Sequence, residues 1–182
     1  MSKKIFDAET WIDIGLRTLK NEGLGKFSVE AIARKVGVTK GSFYWHFKDR
    51  DEFFKAIVDY WLEKQHKLIE DYAQHGAANP QQQLWDIMQD LLRSDAEHDV
   101  AMRSWVQHYE YAHKAVKQVD KLRLDYLESL FKKMGLNKDG AKLRAQMLYF
   151  YQVGEQAVLI RSAQSTRNKL NNLHFRLLTI PI

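Results

Sequence analysis

The chain has 182 residues, 45% of them hydrophobic and 28% charged, with no cysteine. That is ordinary for one or two globular domains, and it excludes disulfides, thiolate chemistry and Cys-ligated zinc. The net charge of +5 is lopsided: residues 1–50 hold ten Lys/Arg against six Asp/Glu, and residues 51–182 hold 18 against 17, so a polyanion is drawn to the N-terminal end.

The first residues, Met1-Ser2-Lys3-Lys4-Ile5-Phe6-Asp7, lack the apolar core of a signal peptide. No run nears the roughly 20 apolar residues of a membrane span. A soluble, cytoplasmic chain with no membrane partner is expected. Prolines occur only at 80 and 181, strand-like alternation is absent and helical periodicity runs almost throughout, which predicts an all-α fold of about nine helices.

A first helix over about residues 7–20 carries Ile12, Leu16 and Leu19 on one face and is stopped by Gly23. Ser28 caps a second, with Val29, Ile32, Ala33 and Val36 at spacings of three and four and Gly37 breaking it. Thr39 caps a short third helix of about eight residues with Phe43 and Phe47 facing inward. Asp49 and Glu52 have capping-box spacing ahead of a long fourth helix, which stacks Phe53, Ile57 and Trp61 on one line and Phe54, Val58 and Leu62 on the next. That helix fades at Gln74-His75-Gly76, and residues 76–80 read as a flexible connection. Pro80 opens a fifth helix with Leu84, Trp85, Met88, Leu91 and Leu92. Further helices are expected over about 95–107, 114–134, 139–165 and 168–178.

Residues 28–47 have the form of a helix-turn-helix: two helices, a turn at Gly37, small Ala33 for close approach, and Val29, Ile32, Val36, Val38, Phe43 and Phe47 as a miniature core. The outer face of the second helix crowds Lys40, Ser42, Tyr44, Trp45 and His46 together, and exposed aromatics there point to a partner surface rather than a solvated one. Lys40 and Ser42 could reach base edges, and Trp45 a thymine methyl or a sugar. Tyr44, His46, Lys48 and Arg50 could hold phosphate, with the caps Ser28 and Thr39 beside them.

Residues 5–62 resemble the DNA-binding domain of the TetR family of transcriptional repressors. The resemblance is carried by Gly23-Leu24 ahead of Ser28-Val29, Ile32-Ala33, Val36-Gly37-Val38, and above all Thr39-Lys40-Gly41-Ser42-Phe43-Tyr44-Trp45-His46-Phe47 followed by Lys48-Asp49-Arg50 and Phe53-Phe54. It implies a helix-turn-helix domain over 1–48 and a larger helical ligand-binding and dimerisation domain over 49–182. It further implies base contacts from Lys40, Gly41, Ser42, Tyr44 and Trp45, and phosphate contacts from Ser28, Thr39, Tyr44, His46, Lys48 and Arg50. It also implies a homodimeric repressor on a palindromic operator, released by a small-molecule effector. One departure is Gly15-Leu16, where the family often has Ala-Ala; it weakens the first helix slightly.

The eighth helix, with Met147-Leu148-Tyr149-Phe150-Tyr151-Gln152-Val153-Gly154, is apolar around most of its circumference and must be covered on most sides, either as a dimer seam or as a buried core helix. The seam is preferred, formed by Met147, Gly154, Val158 and Arg161 with Leu170, Leu173 and Leu177 of the last helix. Trp85, Met88, Trp105, Tyr109, Phe150 and Tyr151 either line an effector pocket or fill the core, and Glu155 either faces that pocket or pairs with an arginine such as Arg161. His66, His98, His108 and His113 lack metal-ligand spacing, and neither a nucleophile elbow nor a phosphate-cradling loop occurs, so no metal, cofactor or catalysis is expected. Two other readings are a constitutive DNA-binding protein without effector, and a helical carrier or enzyme with a vestigial DNA-binding domain.

Overall fold

A computed structural model describes residues 7–22, 28–93, 97–158, 160 and 162–180. Among them are nine α-helices and no strand: α1 (Ala8–Glu22), α2 (Val29–Val36), α3 (Lys40–Tyr44), α4 (Arg50–His75), α5 (Pro80–Arg93), α6 (Glu97–Trp105), α7 (Glu110–Lys133), α8 (Lys138–Ala157) and α9 (Gln164–Thr179). The chain folds into two compact units, one of residues 1–65 and 97–117, the other of residues 66–96 and 118–182.

The first unit reaches past residue 48, the end expected for the N-terminal domain, because Phe53, Ile57 and Trp61 of α4 are almost wholly buried in it. Its centre is a knot of rings. Between centroids, Phe43 meets Trp11 edge-on at 5.4 Å and Phe53 edge-on at 5.1 Å, Phe47 meets Phe53 edge-on at 4.7 Å, and Phe43 and Phe47 are tilted together at 5.3 Å. Edge-to-face geometry of this kind adds to the apolar burial. Trp11, on the inner face of α1 and fully buried, was not on the apolar line read from the sequence.

Gly15 is a further difference. A methyl group built there would sit 2.6 Å from Phe53 Cζ and 2.8 Å from Ile57 Cδ1. The glycine is therefore the space that lets α4 close on α1, and more than a slight weakening of the helix.

The local signals place the helix ends. Asp7 Oδ1 accepts from the N–H of Thr10 at 2.8 Å, and Ser28 Oγ from the N–H of Ala31 at 3.2 Å. Gly37 takes φ 78° and ψ 28° and donates its N–H to Ala33 and Arg34, the left-handed cap that stops α2. Asp49 Oδ1 accepts from the N–H of Glu52 at 2.8 Å, while the Glu52 carboxylate reaches the N–H of Lys48 at 2.6 Å, one residue before the position a standard capping box uses. Thr39 stands at the N-cap of α3 with φ −86° and ψ 152°, but its side chain makes no capping bond. Gly23 lies outside the described residues.

In the second unit α5 packs on α9, and Leu84, Met88, Leu127, Phe131, Ala145, Leu148 and Leu178 form the core. Residues 76–80 are a packed corner, not a flexible connection: the Gln83 amide donates to the Tyr72 carbonyl and to the Tyr126 hydroxyl, the latter at 2.8 Å. A side chain at Gly76 would run into that amide and the Tyr72 carbonyl. Asn79 caps α5 through the N–H groups of Gln81 and Gln82 at 2.8 and 3.1 Å.

The eighth helix ends earlier than expected. Val158 is already extended, with φ −80° and ψ 132°, where the apolar run passes into β-branched residues that helices accommodate less well. The last helix consequently starts at Gln164. Arg144, 7% exposed, donates to the carbonyls of Leu178 and Ile180, the latter at 2.6 Å, and so satisfies the end of α9.

Candidate nucleic-acid interface

The inner side of α3 is anchored by Phe43, 1% exposed, with Phe47 just beyond the helix at 5%. The outer side has no such anchor. Trp45 is 85% exposed and Tyr44 49%. The helix proper is shorter than expected, five residues, and continues as a tight turn in which the N–H groups of Trp45 and His46 donate to Gly41 and Phe43.

Gly41 is exposed, and among the described residues a methyl group there would come within 4 Å only of Thr39 Oγ1, at 3.7 Å. Glycine in a helix costs up to about 1 kcal/mol relative to alanine, and nothing within the fold requires it here. The missing side chain leaves the backbone of α3 open to close approach from outside.

Several of the expected contact residues have partners the sequence did not reveal. The Lys40 ammonium is ion-paired with Glu30 and lies 5.5 Å from the centroid of the Tyr44 ring. Glu30 also accepts from Ser28 Oγ at 3.2 Å. The hydrogen bond from Lys40, helped by that from Ser28, holds the Glu30 carboxyl down at about 2. Arg50 stacks its guanidinium 5.0 Å from the Phe54 ring centroid. Lys48 is exposed, and the His46 ring lies half-buried beside Phe47, 6.2 Å away. Glu30 escaped the sequence reading because its partner lies ten positions on, across the turn, where no helical spacing points to it.

Several of the residues expected to line an effector pocket are packed within their own units. Met88 is fully buried in the core of the second unit, and Trp85 packs edge-on against Phe175 at 5.1 Å there. Trp105 is 1% exposed in the first unit. Tyr109, also in that unit, packs edge-on against Phe54 and donates its hydroxyl to Asp51 at 3.1 Å, so burial, followed by that bond, pushes the phenol's pKa up. Phe150 points outward, 59% exposed.

Tyr151 and Glu155 do share a cleft of about 350 Å³, together with Gly154, Val158, Ile160, Ser162, Arg167 and Leu170. Glu155 is paired with Arg167 at 3.0 Å, and Arg161, the expected partner, lies outside the described residues. The cleft thus joins two expected pocket residues to three expected seam residues.

The expectation that α8 is covered on most sides does not hold within one chain. One face buries Ala141, Ala145, Leu148 and Gln152, and the other leaves Leu143, Met147 and Phe150 exposed, as is Val158 just past the helix end. Leu170, Leu173 and Leu177 of α9 are exposed as well. A methyl group at Gly154 would meet nothing within 4 Å among the described residues.

Among the described residues no cluster of three or more His, Asp or Glu could hold a metal, and no helix is long and apolar enough to cross a membrane.

Residues 12–57 match the family model for bacterial regulatory proteins of the TetR family. Over 46 residues the chain is 41% identical to the HTH-type transcriptional regulator AcrR of Shigella flexneri, and over 61 residues 36% identical to SrpR of Pseudomonas putida. These matches cover 25% and 34% of this chain, and it spans only 21% and 27% of those relatives. Solved structures extend the likeness in fold. The reduced form of NemR from E. coli superposes with a TM-score of 0.73 at 16% identity over 94% of both chains. A TetR regulator from Legionella pneumophila superposes with 0.72 at 11% identity, over 96% of this chain and 97% of that one. Residues 12–57 thus carry the segment typical of the TetR family, with its motif on the exposed face of α3, and nearly the whole chain shares the fold of a solved TetR regulator.

Proposed function

We propose that the protein is a sequence-specific, DNA-binding transcriptional regulator that acts as a homodimer on a two-fold symmetric operator and represses until a small molecule releases it. The observation that carries the DNA reading is the outer face of α3, where Trp45 stands 85% exposed beside an unfilled Gly41 on a helix pinned from behind by Phe43. An exposed indole and an open backbone beside Lys40 and Tyr44 suit a major groove, with Gly41, Ser42 and Trp45 toward bases. Ser28, Thr39, His46, Lys48 and Arg50 then lie toward phosphate.

The dimer reading is supported by the apolar face that α8 and α9 leave exposed, Met147 and Phe150 on one and Leu170, Leu173 and Leu177 on the other. A dimer would present two copies of α3 about 34–36 Å apart, one turn of DNA. Effector release would be a shift between two arrangements of that spacing. A constitutive regulator without effector is the second reading, favoured by the complete burial of Met88 and the near-complete burial of Trp105.

The test is selection of bound duplex from a random pool by the full chain. A palindromic consensus, bound by two chains and weakened steeply by salt, is expected. Tyr44→Ala and Lys48→Ala should lower affinity for that duplex without moving the unfolding midpoint. No enrichment, or a consensus without two-fold symmetry, would remove the reading or its dimeric form respectively.

A further inference from the structure

One carboxylate lies beside residues assigned above to DNA, Lys40 and Ser28, where a polyanion would repel it. Glu30 occupies the second position of α2, and its two oxygens are both engaged: one by the Lys40 ammonium, the other by Ser28 Oγ at 3.2 Å. Ser28 Oγ in turn accepts from the N–H of Ala31 at 3.2 Å. A continuous chain of hydrogen bonds therefore runs from the backbone of α2 to the first side chain of α3. Both members of the ion pair are about half exposed, and pairs of that kind contribute little to folding. A carboxylate in the first turn of α2 favours that helix, but that role needs no partner on α3.

The geometry points to Glu30 as a positioning residue for recognition, an inference that rests on the DNA reading above. A lysine side chain is a flexible four-carbon stem with much rotamer freedom and a compact charge that any phosphate satisfies. Tied to Glu30 and lying over the Tyr44 ring, the Lys40 ammonium is held at the start of α3. One of its three N–H donors is used, and two remain for the acceptors of a base edge, such as guanine O6 and N7. The same tie keeps Lys40 from neutralising a phosphate on unrelated sequence, and the carboxylate adds repulsion there. Glu30 thereby raises the preference for the operator from both sides: it preorganises the specific contact and suppresses the non-specific one. The carboxyl is held low enough to stay charged at any neutral pH.

The test uses the full chain with two probes: a duplex selected by the wild type from a random pool, and a scrambled duplex of the same length and composition. Glu30→Gln should lower affinity for the selected duplex about threefold to tenfold and raise affinity for the scrambled one severalfold. The scrambled-duplex salt slope should steepen by about one phosphate equivalent. In a Lys40→Met background, Glu30→Gln should no longer change the ratio of the two affinities, because the group it positions is gone.

Equal strengthening of both duplexes by Glu30→Gln, with the ratio unmoved, would make Glu30 a mere repelling charge and overturn the inference. A ratio shift that persists undiminished in the Lys40→Met background would overturn it too. Failure of the wild type to select any duplex would sink the DNA reading itself, and this inference with it.

Discussion

Gly15→Ala should destabilise the protein although alanine is the better helix former. In the interior of α1 the substitution alone would favour folding by up to about 1 kcal/mol. Against that, the new methyl would stand 2.6 Å from Phe53 Cζ and 2.8 Å from Ile57 Cδ1, where carbon atoms normally stop at about 3.5–4.0 Å. The Phe53 ring cannot simply retreat, since it packs against Phe47 at 4.7 Å and Phe43 at 5.1 Å. Overpacking of that kind costs about 1–3 kcal/mol, so the net loss should be about 1–2 kcal/mol.

Urea unfolding followed by tryptophan emission reads it directly, because Trp11, Trp45, Trp61 and Trp105 all lie in the first unit. The same substitution in a Phe53→Leu, Ile57→Val background should cost nothing or stabilise, giving a coupling of at least about 1 kcal/mol. If Gly15→Ala raises stability in the parent protein, the close approach of α1 and α4 is not what the glycine serves.

Gly41→Ala should behave in the opposite way, gaining up to about 1 kcal/mol in the same melt while losing affinity for the selected duplex; affinity held at the wild-type level would mean that nothing approaches the α3 backbone closely. Arg144→Met leaves two carbonyls at the end of α9 without their donor and should cost about 1–3 kcal/mol, with faster amide exchange over residues 175–180; unchanged exchange there would show that the guanidinium does not hold the end of α9.

Burial lowers the pKa of His174 from 6.5, and its ring packs edge-on against Tyr151 at 4.6 Å. The unfolded chain therefore takes up the proton first, so stability should be full above about pH 6.5 and fall as the pH drops below it. His174→Phe should remove that part of the slope, and an unchanged slope would assign it to other groups. Phe150→Glu should convert a dimer to a monomer in sedimentation velocity without unfolding it, and a persisting dimer would move the seam away from α8.

The sequence made the first 60 or so residues the most legible because their signals are local. Ser28, Gly37 and Asp49 cap or break helices through neighbours within four positions, and all three do so in the structure. The outward aromatics Tyr44 and Trp45 were equally readable, since exposure follows once Phe43 and Phe47 are assigned inward. What escaped depends on partners distant in the chain. Gly15 looks like a poor helix residue until Phe53 is set against it, and residues 76–80 look loose until Gln83 and Tyr126 arrive from other helices. Met88 and Trp105 were open to two readings for a related reason: they have the composition of a cavity lining, and only packing tells a lining from a filling.

The anchoring of α3 from one side separates two tasks along five residues. Phe43 answers to the fold, whereas Gly41 and Trp45 answer to almost nothing inside the molecule. Substitutions at those outward positions can accumulate with little consequence for folding, so the surface can drift toward a new partner while the domain behind it stays constant. Lys40 is the exception. Tied to Glu30 across the turn, it changes freely only if position 30 changes with it, and the two positions should vary together wherever this architecture has been re-aimed.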